Sequence, residues 1–389
     1  MKLSLNAQGF VEAINWVTKN FDMKDDKAFI ALHVDKDGNG YLTHENVTSF
    51  MKAPFSVGAV DLDGKDSFKL ALDGRYIQRL AGALGNIKGE ITLSKDSANE
   101  KSTLDVKGAG SRFTVPTFDS RISSEPTVKE IGDVNNVEYF DALQRLAKLC
   151  DVKNAGFMPV LETIDLQLDN EEKTITLMAT DRYSLGEIIM EFTPRSSAAE
   201  FIENNPHLFL THQSAILVSP SKNLNEQLTL VTEEKSGKFG YSFTDGKLAL
   251  FSLKSLEPLL YGHLKTSSIE KVTNSFDLVV SDFKKAMGVV SSLAWEETDI
   301  YLEISKEGLV VSDSTGNNTM KVDVTELETD GDYRIKIVRE IINSSLNPIA
   351  TPEMRFHFSD QKGAIVLRSL LDNGKVNDNV FALAVPSQN

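Results

Sequence analysis

The chain has 389 residues, which predicts two or three domains because one hydrophobic core rarely serves more than about 250–300 residues. Hydrophobic residues make up 41% and charged residues 25%, as in folded proteins, which argues against disorder. The formal net charge of −15 excludes a protein that coats DNA by bulk electrostatics, since neutralising phosphates requires Lys and Arg. Either DNA is not the partner, or positive charge is concentrated where DNA passes.

The sequence has no run of about 18 apolar residues, so no membrane-spanning helix is predicted. Its first residues, MKLSLNAQGFVEAINW, lack the apolar stretch and cleavage site of a secretion signal, which predicts a cytoplasmic protein. The single cysteine, Cys150, excludes an internal disulfide and a cysteine-based zinc site. Because Cys150 falls in the apolar stripe of a predicted helix, we expect a core residue there and not a nucleophile.

Three predicted helices begin with the same pattern, an aromatic residue followed three and four positions later by Ala and an aliphatic residue. The pattern starts at Phe10, Tyr139 and Phe283, with spacings of 129 and 144 residues. Polar residues that could cap these helices precede them, namely Asn6, Asn136 and Ser281. Three units of similar size are therefore indicated.

The segments after these helices also recur in one order. Two strands with period-two alternation and a turn between them are followed by a second helix and further strands. The predicted helices span 6–20, 73–84, 137–153, 211–222, 281–294 and 338–347. Polar boundaries lie at 119–130 and 262–274, and 194–207 is predicted to be a surface insertion. The sequence thus predicts an α+β protein of three repeated domains, 1–124, 125–265 and 266–389.

Residues 157–185, FMPVLETIDLQLDNEEKTITLMATDRYSL, resemble a known family. They are similar to the middle domain of the bacterial DNA sliding clamp, the beta subunit of the replicative DNA polymerase holoenzyme. In that family a Pro-aliphatic-Leu strand leads into a hairpin ending in Ala-Thr-Asp-Gly-His-Arg-Leu, whereas this chain reads ATDRYSL. GSRFTVPTF (110–118) and FALAVPSQN (381–389) resemble the end of the family's first domain and its C-terminus. The divergence suggests a distant member, such as a viral one.

The resemblance implies the DNA clamp fold, in which each domain places two helices on an inner surface and antiparallel sheets outside. Two chains would join head to tail into a ring around double-stranded DNA, independent of its sequence. A clamp loader would open the ring, which would tether a DNA polymerase as a processivity factor in replication. The implied protein is not an enzyme and uses no cofactor. The alternative is a repeated β-rich structural or interaction protein, such as a virion component, without a DNA role.

The family binds partner peptides in an apolar pocket. Carried over by position, the pocket comprises Leu161, Thr180, Arg182, Tyr183, Leu185, Pro258, Leu383, Val385 and Pro386. Two residues match the edge strand of the family's dimer interface, Phe113 and Val115. The residues expected to contact them from the other chain are Val289, Val290 and Leu293. For the aliphatic members of both sets, burial in an ordinary core is the competing interpretation.

The predicted helices carry ten basic and seven acidic residues, so the rest of the chain holds the excess of acid. This asymmetry matches a mildly positive hole within an acidic rim, although solvated helix faces would look similar. The resemblance implies, by position, that Phe157 and Met158 lie near a DNA-facing loop. The basic residues predicted to face DNA are Lys19, Arg75, Arg79, Arg145, Lys148, Lys153, Lys222, Lys284, Lys285 and Arg339.

Two metal-like motifs are rejected. Residues 35–46, DKDGNGYLTHEN, resemble a calcium-binding loop, but Asn46 occupies the twelfth position, where a bidentate carboxylate is required. We expect a β-hairpin turn there, and a metal-dependent enzyme using this loop is the less favoured alternative. His207 and His212 lack a third zinc ligand, and no catalytic triad stands out. No metal site and no catalytic residue are predicted.

Overall fold

The computed structural model describes the chain apart from residues 20, 22–27, 96–102, 109, 119–121, 123, 220–226, 259–260, 295–297 and 388–389. It divides into two compact units. Unit 1 comprises residues 1–136, 194–201 and 217–253, and unit 2 comprises residues 137–193, 202–216 and 254–389. No helix in the described part of the chain is both long enough and apolar enough to cross a membrane.

The helices within the described residues are α1 (Ala7–Val17), α2 (Gly74–Leu84), α3 (Asn136–Ala147), α4 (Ala199–Asn204), α5 (His212–Leu217), α6 (Tyr261–Ile269), α7 (Val280–Leu293) and α8 (Arg339–Ser345). Short 3-10 turns cover Pro159–Glu162 and Ser196–Ala198. The strands of the first third of the chain are β1 (Lys2–Asn6), β2 (Phe29–Asp35), β3 (Asn39–Glu45), β4 (Ser49–Asp61), β5 (Ser67–Asp73), β6 (Glu90–Ser94), β7 (Thr103–Gly108) and β8 (Ser111–Phe118).

The middle third contains β9 (Val128–Asn135), β10 (Thr163–Asp169), β11 (Thr174–Thr180), β12 (Ser184–Glu191), β13 (Thr193–Pro194), β14 (Leu208–Thr211), β15 (Gln227–Glu233), β16 (Phe239–Ser242) and β17 (Leu248–Phe251). The last third contains β18 (Asn274–Val279), β19 (Asp299–Ser305), β20 (Gly308–Ser312), β21 (Thr319–Val322), β22 (Val324–Glu328), β23 (Tyr333–Val338), β24 (Glu353–Phe358), β25 (Ile365–Leu370) and β26 (Val376–Ala384).

Unit 1 is a continuous sheet covered by helices. Its strands run in the order β1-β6-β7-β8-β5-β2-β3-β4-β17-β16-β15-β9, and β1 also pairs with β4, so the first eight strands close on themselves. Helix α1 follows β1 directly because Asn6 caps it by accepting the N–H of Gly9 at 3.0 Å. Phe10 and Ile14, one turn apart, are fully buried on its sheet-facing side. The predicted cap at Asn6 is confirmed.

Unit 2 contains two sheets. One has the order β14-β10-β11-β12-β26-β25-β24-β18-β22, and the other has the order β21-β20-β19-β23. Phenylalanines fill its largest core, where Phe276 stacks on Phe356 with 4.9 Å between ring centroids and Phe283 of α7 meets Phe356 edge-on. Burying each such ring contributes about 1.5–3 kcal/mol, so these residues fix α7 on the sheet.

The order of elements repeats three times, as predicted. Each repeat has a strand, a helix, three strands, one or two further strands, a second helix and three strands. These elements are β1 to β8 with α1 and α2, then β9 to β17 with α3 and α5, then β18 to β26 with α7 and α8. The α+β class and this recurrence are confirmed. The predicted domain limits remain predictions, because strands of the middle repeat are shared between unit 1 and unit 2.

The turn before the third strand of each hairpin set is built in the same way. The side-chain oxygens of Asn46, Asp181 and Asp313 each accept a backbone N–H from a residue three or four positions later, at 2.8, 2.6 and 3.1 Å. These three turns give fixed reference points for comparing the repeats residue by residue.

Some local predictions were wrong. Asn136 is the first residue of α3, and Ser281 lies inside α7, which begins directly after β18 with Val279 at its cap position. Helix α6 lies in the segment predicted to be a polar boundary. The segment predicted to be a surface insertion contains α4, which is compatible with that prediction. The motif at 35–46 does form a hairpin turn, in which Asp35 accepts the N–H groups of Asp37 and Asn39 at 2.9 Å.

Candidate functional site

An apolar cavity of about 380 Å³ opens in unit 2, where β12 begins and β26 ends. Its walls come from the 3-10 turn, the β11–β12 turn, α6 and the C-terminal strand, which sequence spacing alone does not bring together. The lining residues are Met158, Leu161, Thr180, Arg182, Ser184, Leu185, Leu264, Ser268, Ala364, Leu383 and Val385. Six of the nine residues predicted for the peptide pocket therefore line one cavity.

The floor of this cavity is part of the core. Strands β12 and β26 are antiparallel and place Leu185 opposite Leu383. Both side chains join a buried apolar cluster that also includes Phe381, and only 5% and 8% of their surfaces are exposed. The two leucines are therefore core residues and pocket floor at once, so the two interpretations considered for them do not compete.

The rim of the cavity is held by hydrogen bonds. The Thr180 hydroxyl donates to the Ser184 carbonyl at 2.6 Å and accepts the N–H of Arg182 at 3.1 Å. Arg182 adopts a φ of 85°, a left-handed conformation that non-glycine residues rarely take and that this network holds in place. The Asp181 carboxylate accepts the Ser184 N–H, and burial raises the pKa of Asp181.

A larger cavity of about 1,100 Å³ shares Arg182 and Val385 with the first one and is also lined by Tyr183 and Pro386. Tyr183 is half exposed, and the Arg182 guanidinium lies 5.7 Å from its ring centroid. Of the predicted pocket residues, Pro258 alone lines neither cavity and is exposed to solvent.

Cys150 lies beyond the end of α3, not in a helix stripe as predicted, and is partly buried where it lines the larger cavity. Burial raises the pKa of its thiol to about 12, so the thiol is neutral near pH 7, and its nearest acceptor is the Thr163 carbonyl at 3.7 Å. Within the described ranges, no group of three or more His, Cys, Asp or Glu side chains is placed to bind a metal ion.

The basic residues predicted to face DNA differ in exposure. Arg75, Arg145 and Arg339 are partly buried, and Arg145 pairs with Asp141 while Arg339 pairs with Glu340. Lys222 lies outside the described residues. The exposed members are Lys19, Arg79, Lys148, Lys153, Lys284 and Lys285.

Two lysines flank one tryptophan in unit 1. The ammonium groups of Lys19 and Lys247 lie 4.5 and 5.4 Å from the ring centroid of Trp16, which indicates cation–π contacts. Desolvation of the Lys19 ammonium, which lies over the Trp16 ring, and the nearby charge of Lys247 lower the pKa of Lys19. Lys247 is not among the predicted DNA-facing residues because it directly precedes β17, whereas those residues all lie on predicted helices.

Solved structures identify the fold. The DNA polymerase sliding clamp of Bacillus subtilis matches with a TM-score of 0.79 at 13% identity, covering 100% of this chain and 99% of that chain. The Helicobacter pylori beta clamp bound to a DNA ligase peptide matches at 0.76 and 17% over 100% of both chains. The DNA polymerase III beta subunit of Thermotoga maritima matches at 0.75 and 16%, covering 100% and 99%. No protein-family model and no curated protein sequence matches the chain. This chain has the bacterial beta-clamp fold.

Strands β8 and β21 are among the described strands of this fold that have an open edge. Residues 111–116 of β8 pair with β7, and β8 reaches β5 only through residues 117–118, so its other side is unpaired. Strand β21 pairs with β20 on one side only. Of the predicted interface residues, Val115 and Val290 are buried, Phe113 is half-buried, and Val289 and Leu293 are 41% and 60% exposed.

Proposed function

We propose that this chain is a sliding clamp, which closes with a second copy into a ring around double-stranded DNA and tethers a DNA polymerase to its template. The observation that carries the proposal is the match of the whole chain to solved bacterial clamps at TM-scores up to 0.79. Retention by enclosure requires a closed ring and no catalytic group. A β-rich structural protein without a DNA role is not favoured by any of these matches.

We further propose that the two adjoining cavities of unit 2 hold an extended peptide of the partner. Eight of the nine residues carried over from the family line one or both cavities. A buried apolar floor beside a polar rim is the usual form of such a groove, in which a few anchor side chains supply most of the affinity. The Helicobacter pylori clamp that matches this fold binds a DNA ligase peptide.

The chain's own strand pairings indicate how the ring would close. Twice within the chain, the third strand of one repeat pairs with the last strand of the next repeat. Strand β4 pairs with β17, with Ser49 opposite Phe251, and β12 pairs with β26, with Ser184 opposite Ala384. In the third repeat the corresponding third strand is β21, and in the first repeat the corresponding last strand is β8. Both have an open edge, so β21 of one chain is the natural mate of β8 of another.

The register of this contact follows from the repeat. Phe118 pairs with Ala71, and Lys254 pairs with Phe209. Ala71 and Phe209 each lie three residues before the first residue of the second helix of their repeat, so Phe118 corresponds to Lys254. Three residues earlier, Val115 therefore corresponds to Phe251. The Ser49 carbonyl accepts the Asn46 N–H in the first repeat, and the Asn318 carbonyl accepts the Asp313 N–H in the third, so Asn318 corresponds to Ser49. We expect Asn318 opposite Val115 and, next to them, Thr319 opposite Thr114.

The tenth residue of each first helix supports the same arrangement. In α1 this residue is Trp16, which meets Phe243 edge-on at 5.2 Å across the β4–β17 pairing. In α3 it is Arg145, which donates to the Pro348 carbonyl across the β12–β26 pairing. In α7 it is Val289, which is 41% exposed in the single chain. Its exposure is explained if a second chain covers it, and two such contacts close a ring by twofold symmetry.

Disulfide trapping tests the register. In a Thr114→Cys/Thr319→Cys variant, oxidation should link two chains covalently through both interfaces, because paired strands bring such side chains within disulfide range. The buried Cys150 thiol should not compete. Thr114→Cys/Met320→Cys, shifted by one residue onto the opposite strand face, is the matched control. A monomer in solution that forms no cross-link would contradict the interface.

The same variant tests enclosure without a loader. If oxidation is carried out with closed circular DNA present, locked rings should stay on the circle in SDS and leave when one cut linearises it. Ordinary phosphate binding would be lost in SDS from both forms. Rings that lock efficiently and are nevertheless stripped from intact circles would overturn the proposed function.

A further inference from the structure

Helix α2 of unit 1 is amphipathic. Ile77 and Leu80 are buried on one side of it. Asp73 fixes the start of the helix by accepting the N–H groups of Arg75 and Tyr76 at 3.0 Å. The other side of α2 is therefore presented to solvent in a fixed orientation.

The solvent side of α2 combines one aromatic ring with two cations. Tyr76 is 49% exposed, Arg79 is exposed and Arg75 is partly exposed. Among the residues that the structure describes, neither arginine forms a salt bridge. The helix itself contains no Asp or Glu, so nothing within it balances the positive charge of this side.

Small residues continue the same side of the helix. Gly82 lies three residues after Arg79, and no heavy atom lies within 4 Å of the place where its Cβ would be. Ala83, four residues after Arg79, is also exposed. The backbone of a ligand can therefore approach the helix closely beyond Arg79.

The second helices of the other two repeats lack this combination. Counted from the first residue of each helix, the same three positions hold Gln213, Ser214 and Leu217 in α5, and Glu340, Ile341 and Ser344 in α8. Ser214 is buried, and Glu340 forms an ion pair with Arg339. The repeated fold therefore does not require a ring between two cations at these positions, and the combination is specific to the first repeat.

We infer that α2 binds single-stranded DNA, with a base stacked on the ring of Tyr76 and with phosphates of the same strand bound by Arg75 and Arg79. The two arginines lie about 6 Å apart along the helix axis, so one strand can contact both. Aromatic rings beside cations are the usual means by which proteins hold single strands without reading their sequence. This inference deepens the proposed function, since it names a form of DNA that one helix of the clamp contacts.

Tyr76 makes the single strand the preferred form. In a duplex both faces of each base are stacked on neighbouring bases, whereas an unpaired base offers a face that an aromatic ring can cover. The arginines act on the charge of the phosphates, which both forms carry. Tyr76 should therefore contribute to the affinity for the single strand alone, and the arginines to the affinity for both forms.

The first experiment measures dissociation constants of the full-length chain by fluorescence polarisation at low salt, with a single strand and a duplex of equal length. Tyr76→Ala should weaken single-strand binding about fivefold or more and leave duplex binding unchanged. Tyr76→Phe keeps the ring and should bind both forms as the wild type does. Gln213→Ala removes the exposed counterpart of Arg75 in α5 and should change neither affinity.

The second experiment tests the arginines through the salt dependence of binding. Arg75→Gln and Arg79→Gln should each reduce the slope of log K against log salt by about 0.7 for the single strand and about 0.9 for the duplex. Unchanged slopes would overturn the assignment of the arginines. A wild type that binds no single strand, or a folded Tyr76→Ala variant that loses nothing or loses equally on both forms, would overturn the inference. Retention on circular DNA by enclosure needs no adhesive contact, so the ring proposal is decided by its own test.

Discussion

The β4–β17 pairing of unit 1 and the β12–β26 pairing of unit 2 have the same register, and among the described residues the apolar pocket lies at the second. Both rest on a buried cluster, with Phe50 and Leu250 in unit 1 at the positions of Leu185 and Leu383 in unit 2. The backbone frame and the apolar floor are therefore common to both. The difference must come from the side chains above the floor.

Two positions account for it. Glu45 occupies in unit 1 the position of Thr180 in unit 2, since each pairs with the second residue of the following strand. Lys238 occupies the position of Ala364. Lys238 directly precedes β16, whose first residue pairs with the last residue of β17, and Ala364 directly precedes β25, whose first residue pairs with the last residue of β26. The Lys238 ammonium lies 3.3 Å from the Glu45 carboxylate. An ion pair thus stands in unit 1 where unit 2 has a hydroxyl and a methyl group.

A second pair of positions shows the same frame with charges exchanged. Lys52 in β4 pairs with Glu125, whereas the corresponding Glu187 in β12 pairs with Lys265. Each bridge joins the third strand to a segment that leads into the next repeat. The repeated backbone accommodates the ion pair in either orientation. The backbone therefore determines which positions are in contact, and the side chains at those positions determine what can bind there.

The largest expected effect comes from giving unit 2 the side chains of unit 1. Thr180→Glu/Ala364→Lys should reduce binding of a polar octapeptide with one leucine side chain at least about 50-fold, because a charged pair would occupy the cavity and would be desolvated by an apolar side chain. Loss of the Thr180 hydrogen bonds should cost about 1–3 kcal/mol of unfolding free energy. Fluorescence polarisation and urea unfolding measure the two quantities.

The reverse exchange in unit 1 provides the control. Glu45→Thr/Lys238→Ala should leave peptide affinity unchanged, because these residues lie outside the pocket of unit 2. Undiminished peptide binding by a folded Thr180→Glu/Ala364→Lys variant would show that these two positions do not account for the difference.

A smaller effect should separate the two exchanged ion pairs. Lys265→Ala leaves the nearly buried Glu187 without its cation and should lower the free energy of unfolding by about 1–3 kcal/mol. Lys52→Ala leaves Glu125, which is 41% exposed and hydrated, and should cost less than about 1 kcal/mol. Urea unfolding followed by fluorescence would measure both losses. Equal losses would mean that burial does not distinguish the pairs.

The repeated elements could be predicted from the sequence because their signals are local. Alternating strands and apolar helix stripes around Phe10, Tyr139 and Phe283 depend on periodicities of two and 3.6 residues, which short windows contain. The cap at Asn6 was also predictable, because its hydrogen-bond donor, Gly9, lies only three residues away. Ser281 misled because β18 runs directly into α7, leaving no separate cap residue with a side-chain bond.

The pocket walls could be predicted only in part. Leu185 and Leu383 were found through the family resemblance, but Leu264, Ser268 and Ala364 carry no local signal. Helix α6 lies in a polar, serine-rich segment, GHLKTSSI, without an apolar stripe, and it is held by Ile269, Val272 and an ion pair to a residue 78 positions away. Contacts at that separation decide the structure of the segment, and no window of sequence contains them.

The smallest expected effect concerns the three equivalent turns, which carry Asn46, Asp181 and Asp313. Burial raises the pKa of Asp181 despite its backbone hydrogen bonds. For Asp313, burial also acts upward, but hydrogen bonds from Asn318 and Thr315 outweigh it and lower the pKa. The folded chain therefore binds the Asp181 proton more tightly than the unfolded chain does, and the Asp313 proton less tightly.

The two carboxylates should thus respond to pH with opposite sign. The contribution of Asp181 is present below its unfolded pKa of about 3.9 and is lost as pH rises through its higher folded value, while that of Asp313 is present above about 3.9 and is lost as pH falls through its lower folded value. Relative to wild type, Asp181→Asn should be as stable or slightly more stable at pH 7, whereas Asp313→Asn should be less stable. Both differences should shrink as pH falls towards 3 in urea unfolding. Since Asn46 already closes the turn of unit 1 without charge, a loss of stability in Asp181→Asn at pH 7 would mean that the charged acceptor of unit 2 does more than close the turn.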